Sequence, residues 1–140
     1  MKKMFFSVVI LLLTTNLFSQ KIINEPKTGF TTAPYLQIKK IEITDSTTVL
    51  SIKILGSTGA KFNIPKKTHI KDVTTNEKLF IKRVEGVPMA KQFIMPESGF
   101  LDCNVIFGKL NTSVTKIDYG EDGGDWFIYD IDLQNESNQS

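Results

Sequence analysis

One cysteine, one histidine and one tryptophan are all that this chain of 140 residues carries of those three types. With Cys103 as the only thiol, no internal disulfide forms, and the cross-linked framework of small exported scaffolds is excluded. Cys103 and His69 together fall short of the four nitrogen or sulfur ligands of a structural zinc site. A Ser-His-Asp set would have to use His69, and no serine lies in a GxSxG elbow. Neither GxGxxG nor GxxxxGK[ST] occurs, so the common phosphate-cradling loops are missing and no cofactor is expected. No window shows a convincing amphipathic helix, and no stripe is basic enough to argue for nucleic acid.

What is present begins with an amino-terminal address. Met1-Lys2-Lys3 is a short basic head, residues 4–13 (MFFSVVILLL) are apolar, and Thr14 to Ser19 are small or polar. That is the layout of a secretory signal peptide over 1–19, with cleavage near Ser19/Gln20. The apolar run is too short for a membrane-spanning helix, so the mature chain is expected to have no transmembrane segment. The expected location is exported, either periplasmic or extracellular at the cell surface.

Removing the leader takes away Lys2 and Lys3 and leaves 15 bases against 15 acids. The balance is uneven along the chain. Residues 117–140 hold seven acids and no base, while 20–116 hold all 15 remaining bases and eight acids. An acidic C-terminal strand lying against a basic neighbour within the fold accounts for this; a bound cation or a basic partner is the alternative.

From Tyr35 onward apolar residues recur with period two, and turn residues arrive about every ten positions, the mark of short strands in a sandwich or barrel. Leu36 and Ile38 alternate, then the phase slips at Lys39-Lys40 before Ile41 and Ile43, which predicts a bulge. Thr48, Leu50, Ile52 and Ile54 share a face, and the two strands read as an antiparallel hairpin about Asp45-Ser46-Thr47. Further strands are expected at Phe62–Ile64, 68–71, 79–84, 92–95, 101–107, 114–119 and 126–133. The fold class is all-β: an antiparallel two-sheet immunoglobulin-like sandwich of about eight strands. Residues 20–34 read as an N-terminal extended segment, 35–133 as the sandwich and 134–140 as a disordered polar tail.

Candidate chemistry is sparse. His69 reads as a surface or half-buried strand residue. Cys103, between Leu101 and Val105, reads as a buried inert thiol, and nothing in the sequence brings it to His69 as a nucleophile pair. The segment 118–125 (DYGEDGGD) places Asp118, Glu121, Asp122 and Asp125 on a glycine-rich loop. Several hard oxygens on such a loop suit calcium, although the EF-hand pattern is not met and a plain hairpin loop fits equally. On the last strand Phe127, Tyr129, Ile131 and Leu133 are the more continuous set and are expected in the core. Trp126 then reads first as a core or edge packing residue, with an outer-face position beside the acidic loop, stacking on a glycan, as the alternative.

Six segments occur in an order and spacing that resemble one family: ITDSTTVL (43–50), IPKKTHI (64–70), EGV (85–87), FIMPESG (93–99), LNTSVTKIDYGE (110–121) and WFIYDIDL (126–133). The family is the N-terminal β-sandwich accessory domain of exported bacterial thioredoxin-like disulfide oxidoreductases, and the likeness covers residues 35–133. In that family a thioredoxin domain with Cys-x-x-Cys usually follows, whereas a lone Cys103 cannot cycle as a dithiol. This chain also has Ala60-Lys61-Phe62 where the family tends to carry a tryptophan-bearing strand. The resemblance implies a sandwich in the envelope and transfers no catalytic residue. The expected function is a non-catalytic binding or adaptor module for an envelope protein or surface component. The alternative is a calcium- or glycan-binding module using loop 118–125 and Trp126.

Overall fold

The computed structural model describes residues 20–134. The leader expected over 1–19, and all of the expected tail except Gln134, lie outside the described residues. Within them the chain forms eleven strands and no helix. These are β1 (Lys21–Asn24), β2 (Leu36–Ile43), β3 (Thr47–Leu55), β4 (Lys61–Phe62), β5 (Thr68–Asp72), β6 (Lys78–Phe80), β7 (Arg83–Glu85), β8 (Phe93–Ile94), β9 (Phe100–Gly108), β10 (Lys116–Glu121) and β11 (Phe127–Asp132).

Every pairing is antiparallel. One sheet has the order β1-β2-β3-β9-β7, a second β11-β10-β5-β6, and β4 and β8 form a short ribbon. Alternation in the sequence accounts for most of this. Thr48, Leu50, Ile52 and Ile54 of β3 are all buried, as are Cys103, Val105 and Phe107 of β9 opposite them. From the second sheet Ile70, Ile117, Tyr119, Ile128 and Ile131 meet them in a single hydrophobic cluster. The Phe107 and Tyr119 rings cross edge to face between the sheets, 6.5 Å apart at 88°. Each isoleucine fully removed from water contributes about 1.5–3 kcal/mol, so the cluster holds the fold without covalent help.

The slip expected at Lys39-Lys40 is present. The β2–β3 register shifts between Ile38 and Lys40, which lets Leu36, Ile38 and Ile41 all reach the core despite their mixed parity.

Three features differ from the sequence reading. The stretch 79–84, expected as one strand, divides: β6 pairs with β5 in the second sheet and β7 with β9 in the first, the chain changing sheets at Ile81-Lys82. Two bonds fix the change, Ile81 N to Thr68 O and Lys82 N to Ile106 O. With β1, this split brings the nine strands enumerated from the sequence, where about eight or nine are expected, to eleven.

The second difference is on β11. Its register with β10 shifts between Ile117 and Tyr119, and Asp130 adopts the left-handed region at φ 55, which aspartate tolerates better than most residues. The core side chains are therefore Ile128, Ile131 and Leu133, while Phe127 and Tyr129 sit on the outer face, half-buried. The expectation that Phe127 and Tyr129 join the core is thus corrected; one extra residue inverts the alternation. Third, the segment ahead of β2 is woven into both sheets. Ile23 of β1 is fully buried, and residues 27–32 then run antiparallel along the edge of β11. That edge is closed by Gly29 N to Tyr129 O, Tyr129 N to Phe30 O, Thr32 N to Phe127 O and Asp132 N to Lys27 O.

Candidate functional site

The acidic loop was the foremost candidate, and the fold disperses its members. Asp118 lies mid-strand on β10, where Oδ1 accepts the Asp130 N–H at 2.9 Å and Oδ2 lies 3.7 Å from Lys71 Nζ. Its carboxylate therefore pins the β11 bulge. Asp122, past the end of β10, takes Lys78 Nζ at 2.8 Å, and that hydrogen bond holds its carboxyl below the ordinary value. Glu121 points to the opposite side of the strand and folds over Gly124, whose missing Cβ would lie 2.0 Å from Glu121 Oε1. Burial, then repulsion from Asp125, raises the Glu121 carboxyl, opposed by Lys67 and a bond from the Asp125 backbone. Asp125 is exposed, and its carbonyl accepts the Thr32 hydroxyl. Among the described residues no three His, Cys, Asp or Glu side chains are close enough together to hold a metal ion. The paired charges Lys71–Asp118 and Lys78–Asp122 place the acidic C-terminal strands against basic neighbours on β5 and β6.

Trp126 faces inward, in the packing position and not the outer-face one. Its ring lies 5.6 Å from Tyr35 and 5.9 Å from Phe62, and Phe62 in turn stacks on Phe93 at 6.1 Å. This aromatic plug closes one end of the core, with the indole committed to its neighbours.

His69 and Cys103 lie on opposite sides of the core. Cys103 is on the inner face of β9, 5% exposed, and burial pushes its thiol up to about 11, where the reactive thiolate is scarce at neutral pH. His69 alternates with the core residue Ile70 and so faces outward, yet it is 3% exposed rather than a surface or half-buried residue as expected. Phe80 meets its ring edge to face at 5.7 Å, and its Nδ1 lies 3.2 Å from the Lys67 carbonyl.

The outer face of the four-stranded sheet carries what the sequence did not reveal. Phe30, brought there by the edge segment, stacks on Tyr129 at 6.1 Å, and Tyr129 on Phe127 at 5.5 Å and 7°. Phe127 leans across Gly120, where a Cβ would lie 2.2 Å from its Cδ1. Cross-strand register continues the row from Phe127 through Gly120 and His69 to Phe80. Phe30 is 69% exposed and Phe80 49%. An apolar band thus crosses four strands and the edge segment, and contiguous exposed bands of this kind mark interaction surfaces. One signal for it was available: Trp126 and Ile128 have the opposite parity to Ile131 and Leu133, so both pairs can face the core only through a slip. Nothing in the sequence placed Phe30 there.

Among the described residues no helix is long and apolar enough to cross a membrane. No family model, no curated protein and no solved structure matches the chain.

Proposed function

We propose that this protein is an exported, non-catalytic binding module of the bacterial envelope, and that its binding surface is the outer face of the sheet β11-β10-β5-β6. The observation that carries this is the row Phe30, Tyr129, Phe127 and Phe80 on that face, with two rings largely in water. Solvent-exposed aromatics of this kind offer large contact area at small cost in conformational entropy.

The fold is read as an immunoglobulin-like sandwich. Supporting this, the orders β2-β3-β9-β7 and β11-β10-β5-β6 follow the A-B-E-D and G-F-C-C′ sheets of that architecture, with β1 added outside the first strand. A sandwich of this type agrees with the resemblance of residues 35–133 to the accessory domain of exported thioredoxin-like oxidoreductases, and with the signal-like head. A non-catalytic role is supported by the separation of Cys103 and His69 on opposite sides of the core and by the burial of the thiol.

Photo-crosslinking residues placed at Phe30 and Phe80 in the exported protein test the assignment. Adducts are expected from these two positions and not from Ser51, on the outer face of the other sheet. Adducts from neither, or equally from Ser51, would remove it.

A further inference from the structure

We infer that the partner of this face is a second copy of the chain, docked about a two-fold axis that runs parallel to the strands. This inference rests on the reading of the face as the binding surface, and adds who occupies it.

The argument comes from how charge is laid out beside the aromatic row. Asp130 is bonded through its N–H to Asp118, Asp118 is register partner of Lys71, and Lys71 is register partner of Lys78. Read from β11 to β6, the row next to the aromatics therefore runs acid, acid, base, base. A two-fold axis along the strands through the sheet centre turns β11 of one copy over β6 of the other. Asp130 and Asp118 then face Lys78 and Lys71 of the second copy, and the second copy's acids face the first copy's bases. The same operation sets Phe127 against the opposing Phe80 and covers that exposed ring. An axis across the strands would instead stack acids on acids. The face is thus complementary to itself in one orientation, which is what an isologous interface needs. Within each copy Lys71 already meets Asp118 at 3.7 Å and Lys78 meets Asp122 at 2.8 Å, so the contact extends existing pairs into a network.

Sedimentation equilibrium on residues 20–140 over a range of concentrations reads the result directly. The expected outcome is a mass rising to twice that of the chain, with association weakened by added salt. Phe30→Ser with Phe80→Ser should leave a monomer whose circular dichroism is unchanged, since neither ring is in the core. Lys78→Glu, which touches no aromatic, should raise the dissociation constant about tenfold or more by setting like charges opposite one another. A wild-type monomer at every concentration overturns the inference, as does a dimer indifferent to both variants. The photo-crosslinks separate the two levels. Adducts at Phe30 and Phe80 to a different molecule, with the chain monomeric, keep the binding face and discard the second copy; no adduct at all discards both.

Discussion

Gly120 shows how much one missing methyl group decides. Phe127 occupies the space a Cβ would take, so Gly120→Ala must push the ring aside at a cost of about 1–3 kcal/mol. In a Phe127→Ala background that penalty should largely vanish, and a double-mutant cycle by urea denaturation measures the difference. Additive effects would show that the ring and the glycine are independent. Glu121 makes a second residue-level prediction. Its folded carboxyl sits above the ordinary 4.5, so the folded state holds the proton more tightly than the unfolded chain. The stabilisation is complete below the ordinary value and is lost as pH rises through the raised folded one. Glu121→Gln mimics the protonated form and should melt a few degrees higher at pH 7, with the gap closing in acid. A gap that is constant with pH would assign the effect to something other than the charge.

The strands that were legible in the sequence are those whose alternation is unbroken or slips once. β3 buries every second residue, β9 buries Cys103, Val105 and Phe107 in the same alternation with Ile106 covered besides, and the β2 slip could be located because Leu36-Ile38 and Ile41 differ in parity. β11 was legible as a strand but not in its facing, because Asp130 absorbs the extra residue after a run of alternating side chains that fits either phase. The sheet change at Ile81-Lys82 left no mark, since a chain that switches sheets without a turn keeps a strand-like composition. The edge segment was invisible for another reason: residues 27–32 are held by backbone bonds, which the side chains do not announce. At this scale the expected boundary at Tyr35 yields a prediction. A chain starting there loses Ile23 and Ala33 from the core and strips the β11 edge. It should be less stable than residues 20–134 by about 3 kcal/mol or more and prone to edge-to-edge association. Denaturant midpoints and light scattering check both; equal midpoints would make the segment dispensable.

Across the whole molecule, opposite charges that are separated along the chain are brought together in space, and both main sheets draw on one hydrophobic cluster. A core shared in this way is expected to melt as one unit. Trp126 fluorescence, which reports the aromatic plug, should therefore follow the same unfolding curve as far-ultraviolet dichroism; an earlier fluorescence transition would indicate a separable end. Another consequence follows from the hydrogen bond that ties Thr31 to Phe127 across 96 residues. A chain synthesised amino end first carries its sealing ribbon idle until the final hairpin emerges. Closure is then the last event of biogenesis, and any product released before that hairpin stays open to proteases.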